Sequence, residues 1–554
     1  MSDVEGIKRE SRALRGRIAE SLAAGGTHFD QDDAQLVKFH GIYQQEDRDA
    51  RRERKASGLG PAYQFMLRTR VPGGVLTPEQ YLAEDELAGR FANGTLRVTT
   101  RQGLQLHGVL KGDLRALVRE LTSVLLTSLA ACGDVNRNVM ACPSHPRTPA
   151  QAQAAQLAQE LAVHFTPATR AYHEIWIDGE KLDVPQLEPP AVDPIYGPAY
   201  LPRKFKMAVA VPPDNCVDAY TQDLAFLADV RGEELAGYTV LVGGGMGMTH
   251  GKSTTYPRVA TPLCFVRPAD AIALAEAVLT TQRDFGDRSN RKHARLKYLV
   301  QERGIEWLRA EVEMRLGVAL EAPGSVEFTD VCDHLGWSLQ PDGKWALGIA
   351  VLSGRIADTP PMQLRTALRE TIARFKPSIR LTGQQNVLLH DVDRAHRASI
   401  DALLRGHGVP TDPDALGLRR HALACPAIPT CGLALAESER ALPALLDEIA
   451  NVLDEIGLHG ERLSIRMTGC PNGCARPYMG DVGIVGRSRD LYDLFVGGDW
   501  ANTRLNRLYR SAVPRAQIVD ALRPALLEWR DRRRLGQTFG EFFSDLAVVS
   551  AAES

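Results

Sequence analysis

The chain has 554 residues, of which 44% are hydrophobic and 24% are charged, and its formal net charge at pH 7 is −2. This composition is typical of an ordinary globular protein in water, and the length allows several domains around a large core. The nearly neutral charge argues against a general affinity for nucleic acid, so any basic site must be local.

The N-terminal segment, residues 1–60, is interpreted as an extension whose role the sequence leaves open. Its first residues are charged and lack an apolar core, unlike a secretory signal. No apolar run approaches the roughly 20 residues that a membrane-spanning helix needs. We therefore expect a cytoplasmic protein without a membrane partner, whose nine cysteines do not form structural disulfides.

An internal repeat organises the rest of the chain. "LRVTTRQGLQLHGV" (Leu96–Val109) resembles "IRLTGQQNVLLHDV" (Ile379–Val392), and their numbering differs by 283. The same offset aligns the "ACP" at Ala141–Pro143 with the "ACP" at Ala424–Pro426. One offset that persists over such a length indicates an internal duplication.

We predict two related halves, roughly residues 61–255 and 345–530, joined by a helical stretch. The joiner includes "ADAIALAEAVLTTQRDFGDR" and "RKHARLKYLVQERGIEWLRAEVEMRLG". Two copies are too few for a solenoid, which needs three or more repeats. Two copies that face each other across a pseudo-twofold axis would create a cleft between them.

The repeated segment is predicted to be a strand. Alternate residues from Arg97 to His107 are polar or basic, and those between them are mostly apolar. This alternation indicates one apolar and one polar face. The second copy keeps the apolar face but has Gln384 where the first has Arg101. The polar face is either a solvated edge or the lining of a site.

A glycine-rich stretch, "LVGGGMGMTH" (Leu241–His250), does not fit a dinucleotide-binding fingerprint. If Gly243 is its first glycine, Met248 occupies the position of the third; starting from Gly245 places His250 there. The chain also contains no Walker A sequence. We therefore predict that it binds neither NADPH nor ATP itself.

Four cysteines form two pairs in the second half: "CPAIPTC" contains Cys425 and Cys431, and "CPNGC" contains Cys470 and Cys474. Between the pairs, Leu and Ile recur at spacings of three and four, which predicts a helix. Proline and glycine keep both cysteine loops irregular. Backbone N–H groups in such loops remain free to bond sulfur.

Four thiolates suit either structural zinc or an iron–sulfur cluster. Zinc sites favour tight pairs with two to four residues between ligands, so the gap from Cys425 to Cys431 is wide for zinc. A [4Fe–4S] cube tolerates unequal gaps, although this spacing differs from the bacterial ferredoxin run. The spacing favours a cluster, and zinc or unliganded thiols remain alternatives.

Several motifs together resemble the sirohaem and [4Fe–4S] signature of the sulfite and nitrite reductase family. They are "CPAIPTC … TGCPNGCARPYMGDVGIVG", "YLPRKFK", "RVTTRQGLQLHG" and "DVNRNV". The similarity extends from "FHGIYQQEDRD" to "GQTFGEFF" and is greatest to the assimilatory sulfite-reducing haemoproteins. It implies an α/β (α+β) fold of three domains, internally duplicated about a pseudo-twofold axis, with ferredoxin-like half-domains.

The resemblance also implies a division of the chain. After the N-terminal extension (1–60) come a first ferredoxin-like half-domain (61–130), a first sirohaem-binding-type α/β domain with the helical joiner (131–340), a second ferredoxin-like half-domain (341–410) and a [4Fe–4S]- and sirohaem-binding α/β domain (411–554).

The resemblance implies two cofactors, a [4Fe–4S] cluster and a sirohaem. The cluster ligands would be Cys425, Cys431, Cys470 and Cys474, and Cys474 would also bridge to the sirohaem iron. Sirohaem carries eight carboxylates and needs a basic cradle, for which arginine is suited. The candidates for this cradle and its surroundings are Arg97, Arg101, Gln105, His107, Arg203 and Asn472.

The repeat leaves open the roles of one histidine and one cysteine. His107 is either a proton donor near pH 7 or a structural residue, because the second copy has His390 at the equivalent place. Cys142 is the repeat partner of Cys425 but has no companions at the other ligand positions. The first half is therefore expected to have kept the fold and lost the cofactors.

The implied reaction is the six-electron reduction of sulfite to sulfide in assimilatory sulfur metabolism, which supplies cysteine. By match to the family motifs, four basic residues surround the substrate: Arg68, Arg137, Lys204 and Lys206. Arginine and lysine suit a small dianion that must also receive protons. Lys204 and Lys206 are two residues apart, so on a strand they point to one face.

Electrons must come from another protein, either a ferredoxin or a flavoprotein, and local similarity around "YGPAYLPRKFK" favours the ferredoxin-fed type. Two alternatives to sulfite reduction remain. One is a nitrite reductase with the same cofactors, which produces ammonia. The other is a non-catalytic iron–sulfur or zinc module that scaffolds partners, although scaffolding would not need convergent basic residues from distant segments.

Overall fold

The computed structural model describes residues 3–169, 171, 175–177, 180–182 and 192–552. These residues form two half-domain sheets that share one hydrophobic core, and two larger α/β units with a core each. None of the helices in the described part of the chain is sufficiently long and apolar to cross a membrane.

The elements of the first half follow in chain order. The N-terminal segment and the first half-domain contain α1 (Asp3–Arg9), α2 (Ile18–Ala23), α3 (Gln31–Leu36), β1 (Ile42–Glu46), α4 (Arg51–Ala56), β2 (Tyr63–Arg68), β3 (Val75–Leu76), α5 (Pro78–Phe91), β4 (Leu96–Val98), β5 (Leu104–Val109) and α6 (Leu114–Ser123). The first α/β unit contains β6 (Met140–Ala141), α7 (Pro149–His164), β7 (Ile175–Ile177), β8 (Glu180–Leu182), β9 (Met207–Ala210), β10 (Leu224–Arg231), β11 (Glu234–Val242), β12 (Thr261–Val266), α8 (Ala271–Phe285), α9 (Leu296–Arg303) and α10 (Ile305–Leu316).

The second half repeats this plan. Its half-domain contains β13 (Gly336–Leu339), β14 (Trp345–Ile349), β15 (Arg355–Ile356), β16 (Asp358–Thr359), β17 (Met362–Gln363), α11 (Leu364–Phe375), β18 (Ser378–Leu381), β19 (Val387–Val392) and α12 (Arg397–Gly406). Its α/β unit contains β20 (Ala422–Ala424), α13 (Leu442–Glu455), β21 (Ile465–Thr468), β22 (Val482–Ser488), β23 (Leu491–Val496), β24 (Arg507–Pro514), α14 (Ile518–Arg532) and α15 (Phe539–Ala552).

The two half-domain sheets exchange strands. The first has the order β1-β2-β5-β4-β15 and the second β13-β14-β19-β18-β3, so each ends in a short strand from the other half. Arg355 pairs with Arg97 at one junction, and Val75 pairs with Arg380 at the other. This exchange gives the molecule the pseudo-twofold arrangement that the repeat predicted.

Two buried glutamines join the halves through reciprocal hydrogen bonds. Gln102 Nε2 donates to the Leu381 carbonyl at 2.9 Å, and Gln385 Nε2 donates to the Val98 carbonyl at 3.2 Å. Each donor and acceptor in the first half is matched by the residue 283 positions later in the second. The repeat found in the sequence is therefore a symmetry of contacts.

The repeated segment is a hairpin, which corrects the prediction of a single strand. The chain reverses between β4 and β5, where Gln102 has a positive φ of 54°. Arg97 pairs with Gln105 across the hairpin, so the predicted polar face survives. That face is buried: Arg97, Gln105 and His107 are 3%, 4% and 2% exposed. It is therefore not a solvated edge.

The two α/β sheets have matching order, β12-β11-β10-β9-β6 and β20-β21-β22-β23-β24. In each, three parallel strands are followed by two antiparallel ones. The central strands are almost continuously apolar, for example "MAVA" in β9, which is typical of strands covered on both faces. The predicted joiner helices are α8, α9 and α10, and the predicted helix between the cysteine pairs is α13.

The N-terminal segment contacts both halves. Its strand β1 forms the edge of the first half-domain sheet by pairing with β2. Lys8 of α1 is buried and donates to the Leu201 carbonyl at 2.7 Å. Arg48 donates to the carbonyls of Cys431 and Ala434 at 2.9 and 2.7 Å. The segment thus supports a cysteine loop of the second half.

Candidate functional site

The two cysteine loops leave the same edge of the second α/β sheet. Cys425 follows β20 directly, and Cys470 lies two residues after β21. The two strands are parallel neighbours, so their carboxyl ends lie side by side. In open α/β sheets, ligands bind in the crevice outside these ends.

Backbone and side-chain N–H groups surround the sulfur atoms, as the loop composition predicted. The Gly469 N–H donates to Cys425 Sγ at 3.3 Å. Asn472 Nδ2 donates to Cys470 Sγ at 3.6 Å, and backbone N–H groups of residues 433 and 434 bond Cys431. Such bonds stabilise metal-bound thiolates and tune the potential of a cluster.

The spacing of the four thiols fits a cluster better than a single zinc ion. A tetrahedral zinc with Zn–S bonds of about 2.3 Å holds its sulfur atoms about 3.8 Å apart. In the described part of the chain, the groups of metal-ligating atoms that all lie within 4.8 Å of one another do not include three of these thiols. A four-iron cube separates its thiolates more widely than one ion does, which this arrangement allows.

Cys474 differs from the other three cysteines by being exposed. Cys425 and Cys470 are buried and Cys431 is half-buried. Burial, followed by the proximity of Cys474, raises the pKa of Cys425 and raises that of Cys470 to about 12. Cys425 and Cys470 therefore need a metal to remain thiolates. The exposed Cys474 lies at the cleft between the two halves, where its carbonyl accepts a hydrogen bond from Thr100 Oγ1 at 3.0 Å.

Basic residues face Cys474 across this cleft. Burial and then the nearby Arg203, Arg295 and Arg137 lower the pKa of Lys204 well below its usual range, while Cys474 opposes the shift. For Lys206, burial is again the largest cause, followed by Arg101. Cations accumulate here without enough anions to neutralise them, which is the electrostatic condition for binding an anionic ligand.

The remaining substrate candidates line the same region. Arg68 Nη1 approaches Cys132 Sγ at 3.2 Å, and the Gln105 amide oxygen accepts from Arg68 Nη2 at 2.6 Å. Arg137 is held by the Gly133 carbonyl, to which its Nε donates at 2.8 Å. Lys204 and Lys206 flank Phe205 on an extended segment just before β9, not on the strand itself.

The sirohaem candidates divide into two groups. Arg101 and Arg203 adjoin the cationic cleft, and the Arg101 guanidinium bonds the Gln222 side chain and the Asn138 carbonyl at 2.6 and 2.5 Å. Arg97 is instead paired with Glu439 at 3.1 Å and donates to the Ala424 carbonyl at 2.8 Å. Arg97 therefore supports the loop that begins at Cys425.

His107 is a neutral imidazole. Burial, followed by Arg355, Arg97 and Arg68, lowers its pKa well below the usual value. Within the described residues, neither ring nitrogen has a hydrogen-bond partner. Such an unpartnered buried group is costly unless a ligand supplies its partner, so His107 fits a cofactor contact better than it fits proton donation near pH 7.

Two buried arginines beside these residues were not among the residues predicted from the sequence. Arg476 donates to the carbonyls of Thr100 and Gly383 at 2.9 and 2.8 Å, so it binds the turns of both repeated hairpins. The only feature of the sequence that could have indicated Arg476 is its place in the cysteine motif "TGCPNGCARPY". Arg295, which pairs with Asp223 at 2.8 Å, carried no recognisable signal.

The glycine-rich stretch packs against the cysteine loop. The Met248 N–H donates to the Pro471 carbonyl at 2.9 Å, and Lys297 donates to the Gly247 carbonyl at 2.8 Å. A Cβ on Gly247 would stand 3.4 Å from the Asn472 carbonyl oxygen. The stretch follows β11 and leads to no helix before β12, unlike a dinucleotide-binding turn.

Comparison with known proteins places this site in a family. A model described as "Nitrite/Sulfite reductase ferredoxin-like half domain" matches residues 59–124 and 338–407, and one described as "Nitrite and sulphite reductase 4Fe-4S domain" matches residues 157–320. A relative from Myxococcus xanthus named "Sulfite reductase [NADPH] hemoprotein beta-component" is 47% identical over 98% of this chain and 96% of its own length. The chain belongs to the nitrite and sulfite reductase family.

Further matches agree with this membership. A protein of the same name from Shouchella clausii is 45% identical over 100% of this chain and 96% of its own. The solved structure titled "Structure of Mycobacterium tuberculosis NirA protein" has a TM-score of 0.80 and 24% identity, and covers 97% of this chain and 95% of that chain. The predicted fold class is confirmed.

Membership of the nitrite and sulfite reductase family also confirms the two predicted cofactors. A matching model is described as a 4Fe-4S domain, and the relatives are named hemoproteins. The residues fit both groups: four converging cysteines can hold a cluster, and the cationic cleft with the unpartnered His107 nitrogens can receive an anionic macrocycle. The 4Fe-4S model matches the first α/β unit, whereas the four cysteines lie in the second.

Proposed function

We propose that this chain reduces sulfite to sulfide, with six electrons and protons, at a sirohaem that shares the Cys474 thiolate with a [4Fe–4S] cluster. The observation that supports the proposal is the group of cations facing Cys474, since Cys474 and three arginines all influence the pKa of Lys204. The names of the relatives, sulfite reductase hemoproteins, agree with it.

The cofactor pair, when bound, supplies the electrons and the metal atom that holds the sulfur of the substrate. The protein's own residues bind the anion. Arg68 and Arg137 are anchored through Gln105 and the Gly133 carbonyl, so they offer positioned donors to sulfite oxygens. Such preorganised donors stabilise charge without reorganising during the reaction.

Lys204 and Lys206 are the proposed proton carriers. Their lowered pKa values mean that each ammonium gives up its proton more readily than an exposed lysine. Each substrate oxygen that leaves as water needs two protons and two electrons: Lys204 Nζ and Lys206 Nζ can each pass one proton to the departing oxygen, and the electrons come from the external donor through the bound cofactors. The same residues charge again from solvent, because both side chains are only partly buried.

The scaffold alternative does not explain this cleft. Closely spaced cations with too few counterions repel one another and destabilise a fold, and a non-catalytic scaffold gains nothing from them. Nitrite, a small anion with the same electron demand, remains the competing substrate. We place the donor outside this chain, and the relatives' names favour a NADPH-linked component over the ferredoxin that local sequence similarity had suggested.

The first test measures kcat/KM for sulfite and nitrite anaerobically, with a reduced low-potential dye that replaces the natural donor. We expect a preference for sulfite with sulfide as the product. A preference for nitrite would assign the sister activity. Protein with full haem and cluster that turns over neither anion would refute catalysis and support the scaffold alternative.

The donor is tested separately. NADPH with a sulfite reductase flavoprotein should support sulfide formation, and reduced ferredoxin should support it at least tenfold more slowly. The dye-driven rate serves as the control for enzyme quality. Equal or faster turnover with ferredoxin would overturn the proposed donor and leave the assigned reaction intact.

A further inference from the structure

A second group of metal-ligating side chains lies in the first α/β unit, away from the four cysteines described above. Cys142 follows β6, Asp214 and Cys216 follow β9, and His334 precedes β13. One ligand atom from each of the four lies within 4.8 Å of the ligand atoms of the others. Three separate segments of the chain therefore converge on one point.

Three of the six distances between these ligand atoms are close to the edges of a tetrahedron around one ion. Cys142 Sγ lies 3.8 Å from Asp214 Oδ2 and 3.9 Å from His334 Nε2, and the latter two atoms are 3.4 Å apart. Zinc bonds of about 2.3 Å to sulfur and about 2.0–2.1 Å to nitrogen or oxygen give tetrahedral edges of about 3.3–3.8 Å.

The carboxylate is already oriented for such a role. Asp214 Oδ1 accepts hydrogen bonds from the N–H groups of Cys216 and Cys332, each at 2.9 Å. These bonds fix the carboxylate and leave Oδ2 directed at Cys142 and His334. Orientation of a ligand through its second atom is a regular feature of built metal sites.

The position of this group corresponds to the cluster site of the other half. Cys142 aligns with Cys425 in the repeat, each directly after the first strand of its sheet. Cys216 follows β9 as Cys470 follows β21. The repeat alone assigned no companion to Cys142, because Asp214 and His334 do not align with any of the four cysteines. The fold brings the companions from two other loops, the one after β9 and the one before β13.

We propose that Cys142, Asp214, Cys216 and His334 bind one structural zinc ion. Two sulfurs, one imidazole and one carboxylate suit zinc, and hard cations such as magnesium and calcium prefer oxygen alone. Four protein ligands complete a tetrahedral sphere and leave no open position, which is typical of a structural rather than a catalytic zinc. In this proposal the first half retains a metal site at the position of the cluster in the second half, but the site holds zinc instead of iron and sulfur.

The ion would fasten the joiner to the first α/β unit. His334 lies in the loop that leads from the joiner into the second half-domain, and the Asn215 N–H already donates to the Asp330 carbonyl at 2.9 Å. A cavity of about 250 Å³, lined by Cys142, Asp214 and His334 and also by Arg147 and Cys332, provides a route for the ion.

The test begins with the purified holoenzyme. Elemental analysis should find about one zinc ion per chain besides the cofactor iron, retained after dialysis against EDTA. X-ray absorption at the zinc edge should show two sulfur atoms at about 2.3 Å and two nitrogen or oxygen atoms at about 2.0–2.1 Å. Absent zinc, or zinc bound by four sulfurs, would overturn the proposal.

Variants identify the ligands. Cys142→Ser and His334→Ala should each lower the zinc content at least tenfold and leave the sirohaem and cluster absorption unchanged. Cys264→Ala, in the same unit but buried on β12 and outside the group, is the control and should keep its zinc. His334 lies on a loop, where a substitution disturbs folding less than one in the core. His334→Ala therefore still tests the site if Cys142→Ser fails to accumulate.

One competing state has its own signature. Alkylation under denaturing, non-reducing conditions, followed by peptide mass spectrometry, would detect a disulfide between Cys142 and Cys216. That disulfide in the active holoenzyme, or unchanged zinc in both variants, would refute the site. None of these measurements uses catalytic turnover, so the proposal stands or falls independently of the proposed reaction.

Discussion

At the scale of single residues, the proposed chemistry depends on the charge of two lysines, Lys204 and Lys206. The pKa of Lys206 is lowered first by burial and then by Arg101 and Lys204, and the nearby Asp223 carboxylate opposes the shift only in part. Replacement of Lys206 by Met keeps the length of the side chain and removes its proton. We expect Lys206→Met to keep the cofactor absorption and to lower kcat for sulfite by about 10²–10⁴.

The matched control for that substitution is Lys344→Met, because Lys344 is exposed and distant from the cleft in sequence. It should retain the parent rate. The measurement is dye-driven sulfide production under anaerobic conditions. Normal sulfide production by Lys206→Met would remove this residue from the mechanism.

The same lysines predict a pH dependence. A lowered pKa means that Lys204 and Lys206 lose their positive charge at a lower pH than the usual value of 10.5. Anion binding is therefore complete on the acid side and is lost as pH rises. We expect kcat/KM for sulfite to fall on the alkaline side, and Lys206→Arg to move that fall to higher pH because a guanidinium stays charged. An unmoved alkaline limb would contradict the assignment.

The exposed thiol predicts which substitution removes both cofactors. If Cys474 binds the cluster and the sirohaem iron together, Cys474→Ser should lose both groups. The iron and haem content of the purified variant measures this, with Cys264→Ala as the control for loss of an unrelated cysteine. A variant that retains a magnetically coupled haem and cluster would disprove the shared thiolate.

At the scale of elements, the repeated hairpin shows what alternation can and cannot predict. The polar face was predicted correctly because Arg97 and Gln105 are both odd-numbered and pair across the turn. The turn itself was missed. Odd-numbered residues lie on the same face before and after it, so the alternation of polar and apolar residues continues through the turn without a break. No Asn-Gly or Asp-Gly signal marks it, and Gln102 occupies the left-handed backbone position instead.

Replacement of the buried Gln102 side-chain amide should lower the stability of the protein substantially. Its Nε2 faces the carbonyls of Ala141 and Leu381 at 2.8 and 2.9 Å, and its Oε1 accepts from the Ala141 N–H at 3.0 Å. Gln102→Leu leaves these backbone groups without partners. We expect the unfolding free energy to fall by about 2–4 kcal/mol.

The experiment is urea unfolding of the holoenzyme, followed by cofactor absorption and by circular dichroism. Gln156→Leu is the control, because Gln156 lies on the exposed face of α7 and bonds only Glu160 among the described contacts. It should shift the midpoint little. Equal midpoints for the two variants would show that the interhalf hydrogen bonds do not limit stability.

At the scale of the whole molecule, the sequence predicted the duplication, the four cysteines and the convergence of basic motifs. It did not predict the exchange of β3 and β15, because a two-residue strand has no pattern of its own. It also missed Arg48, Arg295 and Glu439, whose partners are distant in the chain. Such residues become visible only when the fold brings separate segments together.

Glu439 shows how the three parts of the molecule depend on one another. Its carboxylate pairs with Arg97 at 3.1 Å and with Arg355 at 2.7 Å, one from each half-domain, and its N–H donates to the Cys425 carbonyl at 3.2 Å. Although burial opposes ionisation, Arg97 and Arg355 hold the pKa of Glu439 below its usual range. One carboxylate therefore ties both half-domains to the first cysteine loop.

Glu439→Gln would leave Arg97 and Arg355 unpaired beside that loop, one of them fully enclosed. Breaking a buried pair from one side costs about 3–5 kcal/mol, more than an exposed pair contributes. Glu437→Gln is the matched control, since Glu437 pairs with the partly exposed Arg440. We expect Glu439→Gln alone to lower the unfolding midpoint and to lose cluster iron faster on dilution. Identical iron loss in the two variants would mean that the cysteine loop holds its shape without support from the half-domains.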